Sequence, residues 1–501
     1  MTSYNRPGVF IQEISLPQTV ELGNSGTASG AFLGVLSKGS TTVPVLVGSW
    51  TSFTKTFGNL SDSYPTTWAA YNFFANGGRN LYVHRVVGAG AVSASVTLVD
   101  SATPTPANTL TVTAINQGTW GNNLSVQVGT ASSSDTFSLT IYDGTSVVEQ
   151  YTDLSMSAVS SRYVVSVINY TSEYVRVTNL GSVTTVPANM PASGVTLYAL
   201  TGGATGATPS NSAYTIALAL FDPIISPLIF NIPDTVSVSD GDSQTIASSL
   251  ISYCETRGDA FAIVDVPAGK TATTAKTFVT GITSAFGQSA AYFPWLVVPD
   301  SLRATPGATR LQAPGPSMVG QYLATDASRG VFKTPAGYGN RVALAVALES
   351  SPSNTDLDNL NTGAVPINAI KQVPGTGIVV MGGRTLNNTP NYRYINVRRS
   401  LIHIKKEAER LSGFAVFENN DARLWAQLRV VLSNFLANYW NQGGLKGTTQ
   451  AQAFYVKCDS TTISPSDILA GRVNIEIGVS LEYPAEFIVI KLGQLTGSAS
   501  A

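Results

Sequence analysis

The stretch AFYVKCDSTTISPSDILAGRVNIEIGVSLEYPAEFIVIKL, residues 453–492, decides how the rest of the chain is read. From Val473 to Leu481 the odd positions are Val, Ile, Ile, Val and Leu, and the positions between them are Asn474, Glu476, Gly478 and Ser480. A period of two puts successive side chains on opposite faces, so this is a half-buried strand. Tyr483-Pro484 breaks the run, because proline has no N–H to give to a ladder. A second apolar strand, Phe487, Ile488, Val489 and Ile490, follows, with a polar tail after it.

The opposite end has the same character. Pro7-Gly8 leads into Val9, Phe10 and Ile11, with Glu13 and Ile14 after them, and then a polar stretch from Pro17 to Gly30. A strand peptide on a leash can pair with its own domain or add itself to the sheet edge of a neighbouring molecule. The residues leave both open. Two donated strands per subunit would link copies into a polymer.

Composition favours a covered surface. The chain has 501 residues, enough for about three domains. Charged residues are 12% and the formal net charge is -1, against a usual charged share of about 25%. So little self-repulsion suits a subunit packed against copies of itself, although a neutral secreted β-rich protein has a similar profile. With no basic excess, nucleic-acid binding is disfavoured. Met1 to Arg6 lacks the apolar core of a signal peptide, and no run is long enough to insert in a membrane. Cys254 and Cys458 form neither a disulfide framework nor a metal motif.

Along the chain, residues 26–88 alternate strand and helix signals: a strand at 31–36, a helix at 66–75 ended by Gly77-Gly78, and a strand at 81–86. Residues 89–203 turn to Ser, Thr, Val and Gly. Short runs at 110–112, 124–128, 137–142, 163–168 and 174–177, with a hairpin signal at Asp143-Gly144, predict a small β-sandwich. In 204–375, the continuous apolar runs 227–230 and 260–265 predict strands buried on both faces, and 245–256 fits a helix between them. That is the alternation of a three-layer α/β domain. In 376–486, helices are predicted at 393–411 and 421–441. The second carries an apolar stripe (Leu424, Trp425, Leu428, Val431, Leu432, Phe435, Leu436, Tyr439), with Asn420 as its cap and Gly443-Gly444 as its stop.

Hydrolytic chemistry finds no support. A triad needs a nucleophile, an imidazole base and an orienting acid. The two histidines, His84 and His403, both fall outside 204–375. The Gly287–Ala291 and Gly315–Val319 segments lack the last glycine of a nucleophile elbow, and Asp265 before Pro267 reads as a turn residue. There is no phosphate loop, dinucleotide motif or His/Cys cluster, so no catalytic residue, cofactor or metal is expected.

Motifs in order along the chain carry a family resemblance: Tyr4-x-x-Pro7-Gly8-Val9-Phe10-x-x-Glu13, Gly118-Thr119-Trp120-Gly121-Asn122-x-Leu124-x-Val126, Phe230-Asn231-Ile232-Pro233, Asp265-Val266-Pro267, Tyr292-Phe293-Pro294-Trp295, Asp326-x-x-Arg329-Gly330-Val331-x-x-x-Pro335-Ala336-Gly337, and the block from Phe454 to Phe487. Their number and order resemble the contractile tail sheath proteins of tailed phages and related injection machines. The resemblance implies an α+β multidomain chain. It would have an N-terminal arm (1–25), an α/β segment (26–88), an inserted β-sandwich (89–203), a subtilisin-like α/β three-layer domain without catalytic residues (204–375), an α+β C-terminal core domain (376–486) and a C-terminal arm (487–501). It also implies a structural subunit, made in a host cytoplasm and placed in a virion tail. Such a subunit forms stacked, six-fold rings around an inner tube protein, meets baseplate and tail terminator proteins, and works without hydrolysing nucleotide. Residues Val9, Phe10, Ile11, Glu13, Ile14, Phe487, Ile488, Val489 and Ile490 would be the donated strands. A β-rich surface or receptor-binding virion protein is the rival reading.

One charge cluster gains meaning from the resemblance. Arg393, Arg398, Arg399, Lys405, Lys406 and Arg410 face only Glu407 and Glu409 within 391–410. They are expected either to line a solvated helix face or, with Arg423, Arg429 and Lys446, to contact an acidic tube or a neighbouring subunit. The latter contacts would be salt-sensitive.

Overall fold

Ser29–Gly34 forms a strand because every residue in it is small or apolar and its neighbours close over both faces; Ala31, Phe32 and Leu33 are wholly buried. The computed structural model describes residues 28–181 and 187–486, and within these that strand lies inside an eight-stranded sheet. From edge to edge the order is Gly377–Val380, Asn368–Val373, Ser289–Phe293, Ala260–Asp265, Leu228–Asn231, Ser29–Gly34, Leu81–Arg85 and Val45–Val47. The six inner strands run parallel, and each outermost strand is antiparallel to its neighbour. The segments 26–88 and 204–375, expected as separate units, thus contribute to one sheet, and the boundary expected at 375/376 falls inside the hairpin that pairs Asn368–Val373 with Gly377–Val380.

A hydrophobic core lies on each face of that sheet. One is built from Asn211–Ala219, Asp240–Arg257 and Ala272–Thr280, and the other from Trp50–Phe57, Pro65–Ala75 and Gly315–Arg329. The three-layer alternation read from the sequence matches this arrangement, with the helix expected at 245–256 extending over Asp240–Arg257.

Residues between the strand Leu81–Arg85 and the helix Asn211–Ala219 leave the sheet and return. They form two antiparallel sheets. One has Leu197–Ala199, Leu124–Thr130, Phe137–Asp143 and Ser146–Leu154; the other has Ser95–Val99, Asn108–Ala114 and Val175–Asn179. Both sheets feed a shared core that includes Leu110, Val112, Val126, Leu139 and Ile141. The expected extended run at 163–168 is instead part of a helix, Val164–Thr171. Its apolar residues fall at helical spacing, with Val164 and Ile168 turned into that core.

The Gly118–Asn122 motif seals this unit at its root. Gly118 has φ +122°, and a side chain there would meet the Arg85 guanidinium at 2.9 Å. Asn122 bonds both the N–H (2.8 Å) and the carbonyl (3.0 Å) of Gly203, which joins the outgoing and returning strands.

The final part contains Ile395–Ser412, Ala422–Asn441 and a two-stranded antiparallel sheet, Phe454–Lys457 with Glu476–Val479. The cap of the second helix is Asp421, whose carboxylate accepts from the N–H groups of Arg423 and Leu424. Asn420, expected there, instead accepts from the Trp425 indole and donates to the Arg472 carbonyl.

Candidate assembly surface

The two-stranded sheet is built on the helix stripe. Leu424, Leu428, Leu432, Leu436 and Tyr439 are buried at three- and four-residue spacing. Phe454, Val456, Ile477, Val479 and Leu481 pack with Leu436, Tyr439 and Leu445. Register is fixed by the pairs Phe454–Val479, Tyr455–Gly478, Val456–Ile477 and Lys457–Glu476. The alternation from Val473 to Leu481 therefore does mark a core-facing face, although the ladder itself is confined to Glu476–Val479.

On the outer face the Tyr455 ring lies across Gly478, where a side chain would come within 2.1 Å of it. The Tyr455 hydroxyl donates to Glu476 Oε1 at 2.5 Å, and Lys457 stands over the same ring at 5.3 Å. Glycine at 478 makes room for a cross-strand aromatic cover. Among the described residues no third strand lies beside either edge of this pair. An open two-stranded ribbon is an acceptor for added strands.

Past Leu481 the chain has no regular secondary structure from Glu482 to Glu486, where it helps line a cleft of about 520 Å³ together with Phe332, Ala336, Met381 and Asn396. Asn396 Nδ2 donates to the Glu482 carbonyl (3.0 Å), Tyr483 meets Tyr394 edge-on at 5.7 Å, and Glu486 pairs with Arg384. The expected arm strands, Val9, Phe10, Ile11, Glu13 and Ile14 at one end and Phe487, Ile488, Val489 and Ile490 at the other, lie outside the described residues.

The basic cluster divides. Arg399 is buried and bonds both oxygens of Asp326 from under the Tyr322 ring, so it is no surface contact. Arg398 is turned inward as well, donating to Gln288 Oε1 at 2.8 Å and lying over the Tyr392 ring. The sequence left them either on a solvated helix face or at a tube or neighbour contact, and neither holds for Arg399; the amphipathic period that exposes one face of this helix to solvent holds here for only part of its length, because the α/β body packs over the rest. Lys406 pairs with Asp259 (3.1 Å) and Glu409 (3.3 Å), Arg393 donates to the Asn388 carbonyl, and Arg429 to the Cys458 carbonyl. Arg410 is exposed but pairs with Glu407 at 2.7 Å, and Lys405, Arg423 and Lys446 are exposed as well. The sequence did not single out the loop between the two helices, where Phe414, Val416 and Phe417 are exposed, Phe417 fully and with φ +69°. Its signal was an apolar triplet between helices.

Asp265 is buried, accepts from Asn231 Nδ2 (2.8 Å) and from the Gly315 N–H (2.7 Å), and burial pushes its carboxyl up to about 6. Ser289 and Ser317 are fully buried. His84 is on the strand Leu81–Arg85 and His403 on the helix Ile395–Ser412. Among the described residues no group of His, Cys, Asp and Glu could hold a metal ion, and no helix is long and apolar enough to cross a membrane.

Comparison with known proteins agrees with this arrangement. Residues 387–493 match the family model of the phage tail sheath C-terminal domain. A 153-residue stretch, 30% of this chain, is 28% identical to the tail sheath protein of Enterobacteria phage T4 but spans only 22% of that protein's length. Among solved structures, the contracted sheath of the extracellular contractile injection system PVC superposes with a TM-score of 0.58 at 20% identity, covering 99% of both chains. A chain of the six-fold symmetrised baseplate of the anti-feeding prophage gives 0.59 at 18% identity, covering 98% of this chain and 99% of its own. The sheath tail protein Lin1278 of Listeria innocua gives 0.64 at 14%, covering 91% and 95%. The mixed α/β multidomain fold is that of sheath proteins, and the family resemblance read from the sequence is borne out.

Proposed function

We infer that this chain, which carries a phage tail sheath C-terminal domain over residues 387–493, is the repeating subunit of a contractile tail sheath. It polymerises as stacked six-fold rings around an inner tube, and shortening of the rings drives the tube through a target envelope. Its neighbours along the tail are the tube protein, the baseplate and the tail terminator, and assembly takes place in the host cytoplasm. The role is mechanical: work comes from two packings of one lattice that differ in free energy.

The observation that carries this reading is the open ribbon Phe454–Lys457/Glu476–Val479, flanked in sequence by an apolar run at Phe487–Ile490, with Val9, Phe10, Ile11 and Ile14 near the other end of the sequence. Strands donated from neighbours complete such a ribbon to four strands and keep rings joined while subunits turn. We read 89–203 as an inserted β-sandwich, supported by its two sheets and shared core, and the eight-stranded body as a subtilisin-like α/β unit without catalytic residues. Lys405, Arg423 and Lys446 are the exposed cations we place toward a tube. A receptor-binding protein is not favoured, since the likeness to sheath chains runs through the whole length.

The test is electron microscopy of the purified, overexpressed chain, alone and with the matching tube protein. Hollow striated tubes are expected. Discrete monomers or trimers under both conditions would defeat the reading.

A further inference from the structure

Arg384 is held from several sides. Its N–H donates to Asn368 Oδ1 and its carbonyl accepts from Asn368 Nδ2, both at 2.7 Å, so the backbone is tied to a strand of the main sheet. Its Nη1 donates to the Asn361 carbonyl at 2.8 Å. The remaining donors grip Glu486: Nε reaches Oε1 at 3.1 Å and Nη2 reaches Oε2 at 2.5 Å. The two side chains are only 11% and 17% exposed, and 102 positions separate them in sequence. The segment between the Asn396 anchor at Glu482 and this ion pair runs over the cleft, so its course is set by its two ends. Lys276 donates to the carbonyls of Leu360 and Thr362, beside the Asn361 carbonyl that Arg384 uses, which puts a second cation in this corner.

We propose that the Arg384–Glu486 ion pair is a clamp that fixes where and in which direction the chain leaves the body toward Phe487–Ile490, making Arg384 a positioning residue for assembly. This rests on the sheath reading above. A strand tethered at a fixed root meets a neighbour's edge at high effective concentration, and an unclamped root spreads the same strand over a larger volume. A bidentate guanidinium–carboxylate pair supplies direction as well as attraction, which a single-point contact does not.

The experiment uses the full chain and scores the sedimenting polymer, with tubes verified by microscopy. The set is wild type, Glu486→Gln, Glu486→Arg, Arg384→Glu and the exchange Arg384→Glu with Glu486→Arg. Glu486→Gln keeps a hydrogen-bond acceptor for the Arg384 guanidinium at a position beyond the last described strand, so its circular dichroism melt is expected to stay close to wild type. Each single variant is expected to reduce polymer about tenfold or more at equal concentration, and the exchange to recover most of it. Wild-type-like polymer from Glu486→Gln and Glu486→Arg, or an exchange as defective as the single variants, overturns the clamp. If the wild-type chain forms no polymer even on a tube, the sheath reading itself falls, and the clamp with it.

Discussion

Asp326 and Arg399 show how a residue that looks like surface charge in sequence becomes structural. Their side chains are 1% and 5% exposed and join the helix Gly315–Arg329 of the body to the helix Ile395–Ser412 of the C-terminal part. Two ions so far from water stay only as a pair, so removing one strands the other. Arg399→Met alone is expected to cost about 3–5 kcal/mol in denaturant unfolding, and Asp326→Leu with Arg399→Met much less. Equal losses for the single and double variants would show that packing, not pairing, dominates. His84 acts through pH. Burial holds its imidazole down at about 4, against an ordinary 6.5, in spite of a bond to the backbone of Val43. The unfolded chain takes the proton first, so this contribution is complete above about 6.5 and is lost as pH falls toward 4. Asp234 and Asp265, both raised by burial to about 6 from 3.8, have the opposite sign: the folded state is protonated first, and they favour the fold as pH falls through that window. The difference between wild type and His84→Leu isolates the imidazole. Wild type should lose up to about 3 kcal/mol relative to the variant between pH 7 and 4, measured by urea unfolding. A pH-independent difference would remove His84 from the account.

At the scale of elements, Ala422–Asn441 was readable because its stripe repeats every three or four residues for five turns, and the same stripe is the buried one. Leu432→Ala in its centre is expected to cost about 2–5 kcal/mol, and Asp421→Ala at its cap about 1 kcal/mol. A costlier cap than core, in the same unfolding assay, would mean that the helix is held by its end and not by its face. The buried strands Ala260–Asp265 and Leu228–Asn231 were legible for a similar reason, since a run apolar on both faces belongs inside a parallel sheet. What was not legible depends on contacts distant in sequence. Val164–Thr171 has β-branched residues that suit a strand, and its helical spacing of Val164 and Ile168 is decided by the core they enter. That 26–88 and 204–375 form one sheet follows from Ser29–Gly34 pairing with Leu228–Asn231, nearly two hundred residues away. The candidate surface was half legible: the ribbon followed from its alternation, whereas the fates of Arg398 and Arg399 depended on Gln288 and Asp326, which no local pattern connects to them.

For the whole molecule, the proposed strand donation and the proposed tube contact would have to coexist, and they should respond differently to perturbation. Strand donation depends on backbone hydrogen bonds and apolar side chains, so it should tolerate salt; deleting residues 1–16, or ending the chain at Pro484, should leave folded subunits that do not polymerise. Normal long tubes from either truncation would end the strand-donation idea. Contact with a tube through Lys405, Arg423 and Lys446 would be electrostatic and exposed, hence screened over a Debye length of about 10 Å at 0.1 M salt. Reversing all three to Glu should leave tubes that form without a template unchanged, while lowering the rate of assembly on the tube protein by about tenfold or more at low salt and far less at 0.5 M. Because none of the three is buried, the fold should survive the change, unlike reversal at Arg399. Templated assembly that keeps its rate and its salt dependence in the triple variant would place the tube-facing surface elsewhere, and the exposed Phe414–Phe417 loop would be the next face to alter.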